Sequence, residues 1–213
     1  MGDAAMASAT IDPTPHRLLY AASEVLGLLE NAGFDACAIG GLAVLRWGQP
    51  RVTQDVDVTV LAPIGDESAV VDFLLARLPA RRPDARAFAM ANRVLLLSAT
   101  NGVPIDVGLA ALPFEAEALR QARVWKWLPD VSFRVCAAED LVIYKLAAGR
   151  RHDIDDMEGV VRLQWRDMDI DRIRARTSEL SEMLDGTDLL APFEAALARA
   201  RGRLRGPKEQ IES

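Results

Sequence analysis

The stretch Gln54-Asp55-Val56-Asp57-Val58-Thr59-Val60 decides how this chain is read. Successive side chains of a strand point to opposite faces. Val56, Val58 and Val60 therefore form one apolar face that should pack into a core. Asp55, Asp57 and Thr59 share the other face, which puts two carboxylates one pleat apart. Something positive has to offset their repulsion, and a pair of hard oxygen donors suits a divalent cation such as Mg²⁺. The bland alternative is a solvated edge face carrying two incidental acids. The pair alone does not choose between them.

Its surroundings do. Upstream, the apolar run Ala36 to Ile39 reads as a buried strand, and Leu42 to Trp47 as a short helix ending at Gly48. Between them lie Gly40 and Gly41, which let a backbone approach a ligand closely. The helix N-terminus behind them offers oriented N–H groups to phosphate. Downstream, Asp106 sits between Ile105 and Val107 in the apolar run Val103–Leu109. An acid there is costly to bury unless it meets a cation or a hydrogen-bond partner. If that strand neighbours residues 55–60, three carboxylates converge on one site. Two metal ions held this way align an attacking oxygen, a phosphorus and a leaving pyrophosphate.

The remaining chain organises around this segment. Residues 1–15 are small, polar and proline-containing and read as a flexible leader. Apolar residues at helical spacing run from His16 to Asn31, and Gly33 ends that helix. A second helix is expected over residues 66–78. Asn101-Gly102 separates two apolar runs, 93–100 and 103–109, as a hairpin turn would. Residues 123–135 give another hairpin around Pro129-Asp130, and helices follow at about 137–149, 153–165, 169–184 and 188–203. The expected organisation is a leader (1–15), a small α/β or α+β core (16–112), and a mostly helical portion (113–213).

Composition narrows the function classes. The 213 residues are 50% hydrophobic and 26% charged, with 25 Lys and Arg against 31 Asp and Glu and a net charge of −6. That balance disfavours nucleic-acid binding through the overall field, and no DNA-binding motif appears. Cys37 and Cys136 lack metal-ligand spacing and read as core thiols of a reducing cytoplasm. No apolar run approaches the roughly 20 residues that span a bilayer, and no signal peptide is evident, so a cytoplasmic protein is expected.

GGLAVLRWGQPRVTQDVDVTV, residues 40–60, resembles the signature of the polymerase β-like nucleotidyltransferase superfamily. It is most similar to the AbiEii-type and minimal nucleotidyltransferases of toxin–antitoxin modules. Those proteins carry a glycine turn, a short helix, an Arg-x-Thr segment, an Asp-x-Asp strand and a third acid on a later strand. Here these are Gly40, Gly41, Arg51, Thr53, Asp55, Asp57 and Asp106. The resemblance implies a small mixed sheet flanked by helices, and transfer of a nucleoside monophosphate from an NTP with two Mg²⁺ (or Mn²⁺) ions. Asp55, Asp57 and Asp106 would hold the metals, Gly40, Gly41 and Arg51 would handle phosphates, and Thr53 would brace the turn. It further implies a macromolecular acceptor such as tRNA or a partner protein, with a cognate antitoxin as possible partner. The same core also serves aminoglycoside-type small-molecule transfer, or a silent nucleotide- or partner-binding module.

LVIYKLAAGRRHDIDDMEGVV, residues 141–161, resembles a later motif of the AbiEii group: a helix lysine, a basic pair, then acids opening the next helix. Lys145 is either a point charge for the triphosphate or a snorkelling surface residue. Arg150 and Arg151 read as helix C-terminal charges. Asp153, Asp155 and Asp156 complement the next helix dipole, or else Asp153 or Asp156 orders Lys145 or Arg150. His152-Asp153 is no metal phosphohydrolase site, because His16 is the one other histidine. Trp125 and Trp127 read as hairpin packing, and the basic run Arg199 to Lys208 as a solvated tail able to touch RNA.

Overall fold

A computed structural model describes residues 13–129, 131–184 and 186–202. The order is α1 (Pro13–Asn31), β1 (Ala36–Ala38), α2 (Gly40–Trp47), β2 (Val56–Leu61), α3 (Glu67–Leu75), α4 (Ala85–Asn92), β3 (Val94–Ser98) and β4 (Pro104–Ala110). Then come α5 (Pro113–Gln121), β5 (Arg123–Leu128), β6 (Val131–Val135), α6 (Ala138–Ala148), α7 (Arg151–Gln164), α8 (Ile170–Met183) and α9 (Leu190–Gly202). The fold is mixed α/β. Helix α1 starts at Pro13, three residues earlier than expected, since proline in a first turn has no intrahelical N–H to lose. The rest of the expected leader lies outside the described residues.

Six strands form one mixed sheet in the order β3-β4-β2-β1-β6-β5. Strand β2 pairs parallel with β4 and antiparallel with β1, and β6 pairs parallel with β1. The hairpin at Asn101-Gly102 is present between β3 and β4, with Gly102 at φ +81°. The second hairpin, β5–β6, is present too. Through Ala38 and Val135 it extends the same sheet, which therefore continues beyond residue 112.

The valine face of β2 is buried as its alternation requires: Val56, Val58 and Val60 are at most 1% exposed. Ile105, Val107, Leu95 and Leu97 on β4 and β3 join them in the core. Helix α1 packs on β1, β2 and β6, and α2 bridges β2 to α6 and α7. Cys37 and Cys136 are free and buried, and burial pushes the Cys37 thiol up to about 12. Two helices, α4 and α5, were not expected from the sequence. Among the described residues no helix is long and apolar enough to cross a membrane.

Val58 lies between Ala38 and Val107 in the sheet and carries no polar neighbour in register. Val58→Asp should unfold the protein, because an unpaired buried carboxylate costs several kcal/mol. Far-UV circular dichroism and a thermal melt check this; a folded variant with a wild-type melt would contradict the assigned face.

Candidate active site

The parallel register of β2 and β4 sets Asp57 directly beside Asp106. Side chains of paired residues share a face, so both carboxylates leave the sheet on the same side, about one strand spacing apart. Asp55 stands just before β2 and accepts a hydrogen bond from Thr53 Oγ1 at 3.1 Å. Asp57 accepts from the Gly41 N–H at 3.4 Å. Asp106 accepts from the Arg81 guanidinium.

Both glycines are sterically required. Gly40 has φ +57°, and a Cβ built on it would lie 1.9 Å from Asp57 Oδ2. A Cβ on Gly41 would lie 2.5 Å from Thr53 Oγ1. The turn thus presses its backbone against the acid strand on one side and the Thr53 hydroxyl on the other.

A cleft of about 420 Å³ opens over these groups. Gly40, Arg51, Thr53, Asp55, Asp57 and Asp106 line it together with Lys145, Arg150 and Asp153. All expected site residues except Gly41 therefore reach one cleft. Lys145 is buried and sits between two acids, 2.8 Å from Asp153 and 2.9 Å from Asp156. Arg150 Nε reaches Asp153 at 2.6 Å. The fork of Arg51, expected on phosphate, is engaged with Asp156 at 2.8 and 2.9 Å. Of the two readings of Asp153 and Asp156, ordering the cations is the one the contacts match.

Titration behaviour separates the two groups of acids. Burial, then repulsion from Asp55, raises Asp57 above the ordinary carboxylate range, against the pull of the Gly41 N–H. Burial raises Asp106 as well, and Arg81 opposes it. Burial also acts on Asp153 and Asp156. There it is outweighed by hydrogen bonds from Arg150 and Lys145, and from Arg51 and Lys145, which hold both carboxyls low. The first group is short of positive charge and the second is supplied with it.

The register brings together two of the three acids expected to converge, Asp57 and Asp106, with Asp55 just outside the strand. Among the described residues no three Asp, Glu, His or Cys side chains come close enough to hold a metal ion. Each carboxylate is tied to a different neighbour. The donor chemistry still fits a hard divalent cation: all oxygen, with two carboxylates in register and pressed toward protonation. Sequence reading missed Arg81, Ile39 and Tyr144; the last two line the cleft. Tyr144 precedes Lys145 on an apolar helix and packs edge-on against Phe114, so its signal was that of a core residue. Trp125 is buried against Phe133, as hairpin packing requires. Arg199 pairs with Glu158, and the chain beyond residue 202 lies outside the described residues.

No family model matches the chain, and no curated protein does. Among solved structures, the antibiotic-resistance factor ANT(2'')-Ia superposes with a TM-score of 0.50 at 14% identity, over 91% of this chain and 100% of its own. An antigenic nucleotidyltransferase-like protein from Paracoccidioides brasiliensis gives 0.49 at 15% identity, over 85% of this chain and 94% of that one. The chain has a nucleotidyltransferase-like fold. At such identities the likeness is one of fold, and the acid pair of β2 and β4 has to be judged on its own geometry.

Because Asp57 titrates higher folded than its reference of 3.8, charging it costs native stability as pH rises from that value through its folded pKa. Well below pH 3.8 both states are protonated and the cost vanishes. Asp57→Asn should therefore melt higher than wild type at pH 7 in EDTA, by on the order of 1 kcal/mol or roughly 2–4 °C. The gain should shrink as pH falls to 3.8 and vanish well below it, and melts across that range check it.

Proposed function

We propose that this protein is a nucleotidyltransferase that moves a nucleoside monophosphate from an NTP to a macromolecular acceptor, tRNA or a partner protein, as a toxin-like component of a defence or toxin–antitoxin module. One observation carries the transfer reading: two segments far apart in sequence, 40–60 and 141–161, meet at a single cleft with an acid row on one wall and a cation network on the other. Both segments resemble the AbiEii group, and that resemblance supports the macromolecular acceptor.

The charge inventory gives each wall its part. Four carboxylates line the cleft (Asp55, Asp57, Asp106 and Asp153) against three permanent cations, Arg51, Lys145 and Arg150. Such a cleft repels a polyanionic triphosphate. Asp55, Asp57 and Asp106 would hold divalent cations, Mg²⁺ or Mn²⁺, which when bound reverse that sign and neutralise charge developing on the leaving pyrophosphate. Lys145 is fixed by two acids and offers a point charge to phosphate oxygens at the inner end. Arg150 does the same from the rim. Gly40 keeps the turn low, so that the start of α2 offers backbone N–H groups to an anion. Asp106, on the β4 strand of the acid row, would accept the proton of the attacking hydroxyl.

Purified protein incubated with Mg²⁺ or Mn²⁺ and each α-labelled NTP should transfer label to bulk tRNA or to a co-expressed neighbour protein. An aminoglycoside arm tests the small-molecule alternative. Asp55→Asn and Asp57→Asn should each lose more than about 100-fold of transfer, the scale of a lost charge-stabilising group, while remaining folded. NTP binding with no transfer to any acceptor would favour the silent binding module instead.

A further inference from the structure

The third carboxylate of the acid row has a partner that belongs to no motif. Arg81 lies between α3 and α4, in a segment that adds a short strand-like edge beyond β3. Its N–H donates to Leu96 O at 3.0 Å, the Ser98 N–H donates to Pro79 O at 2.8 Å, and Ala80 bridges Leu97. That antiparallel register puts Arg81 opposite Leu96. Leu96 is in register with Asp106, and Asp106 with Asp57. Arg81, Leu96, Asp106 and Asp57 therefore form one row across the sheet, with side chains on one face. From the end of the row the guanidinium reaches over Leu96 and donates to Asp106 Oδ1. It also donates to Ile105 O at 3.4 Å.

Among the described residues, Arg81 is the one cation paired with any of Asp55, Asp57 and Asp106. Its backbone is tied to β3 at Leu96, so the guanidinium is delivered by the sheet and not by a free loop. Arg81 thus engages one of the two carboxylate oxygens of an acid read as a cation ligand. A fixed positive charge in that place does two things. It offsets the repulsion of the row, and it opposes the entry of another cation.

We propose that Arg81 is the built-in counter-ion of the acid row, holding Asp106 until a divalent cation takes its place and thereby setting the cation requirement of the site. This rests on the reading of Asp55, Asp57 and Asp106 as cation ligands. It assigns Arg81 a positioning role through Asp106, with no contact to substrate required.

Mn²⁺ alone is the probe, titrated into the full chain and read by electron paramagnetic resonance and by the shift in melting temperature. Arg81→Met should melt lower than wild type in EDTA, bind Mn²⁺ roughly tenfold more tightly, and show a larger Mn²⁺-induced melting shift. Arg81→Lys, which keeps the charge, should bind Mn²⁺ as wild type does and guards against a poorly folded Met variant. In an Asp106→Asn background, Arg81→Met should leave Mn²⁺ binding unchanged. Arg82 is the charge control: it is exposed and pairs with Asp84, so Arg82→Met should leave Mn²⁺ binding within about twofold of wild type. Unchanged or weaker binding by Arg81→Met, or equal tightening by Arg82→Met, overturns the proposal while the transfer reading stands. A wild-type protein that does not bind Mn²⁺ overturns both.

Discussion

The in-register pairing of β2 with β4 is the constraint on which the site depends. Val58 meets Val107 and Val60 meets Leu109 in that pairing, and all four side chains are buried. A slip by one residue would turn the valines to the outer face and the acids into the core. The apolar face therefore fixes the register, and the register forces Asp57 against Asp106. Like charges opposed across neighbouring strands are destabilising. The fold accepts that because the alternative, a carboxylate in the core, costs more. Like charge at this position follows from how the core packs, while burial, ahead of repulsion from Asp55, is what raises the titration of both acids.

From that pair the neighbouring structure follows outward. The turn before α2 has to pass close to Asp57, and the distance from a hypothetical Gly40 Cβ to Asp57 Oδ2 shows there is no room for a side chain. The Ile39 N–H donates to Asp57 O at 2.9 Å, which extends the acid row into the loop that opens the helix. At the opposite end Arg81 closes the same row. The row thus runs from a helix start, through two acids, to an arginine, all registered by backbone hydrogen bonds. Its geometry is set by sheet pairing, the least deformable element available.

Much of this was legible in the sequence where one face of an element is apolar and the other is not. The alternation of 55–60 gave β2 and both its faces, and Asn101-Gly102 gave the hairpin that carries Asp106. Helix α4 was not legible because its sequence, ARAFAMAN, alternates alanines and buries two of them, Ala85 and Ala89, leaving no bulky stripe at helical spacing. Helix α5 opens at a proline and buries little more than Ala118 and Leu119. Arg81 sits in LPARRP, a segment with the marks of a loop, and its meaning comes from pairing with Asp106 across 25 residues. Arg51 was assigned to phosphate from its motif, whereas its fork meets Asp156, a contact spanning 105 positions that no local pattern encodes. Closure of three acids into one ligand set was expected from strand adjacency and the family resemblance, and neither says which neighbour each carboxylate will choose.

The second wall of the cleft answers a different physical problem, that of keeping cations dry. Lys145 is 7% exposed at its side chain, and an unpaired ammonium so placed would cost the fold several kcal/mol. Two carboxylates 2.8 and 2.9 Å away prevent this, and Arg51 and Arg150 balance those acids in turn. Arg51 comes from the loop before β2, Lys145 from α6, and the acids from α7, so the network ties the sheet's active end to the helices behind it. Buried ion networks seldom stabilise a fold more than apolar packing of equal volume would. An apolar wall here would hold the helices at least as well. It would offer nothing to an anion. The network keeps three cations within reach of a cleft whose floor is acidic, and that opposition of charged walls is what a polyanionic ligand with its counter-cations requires.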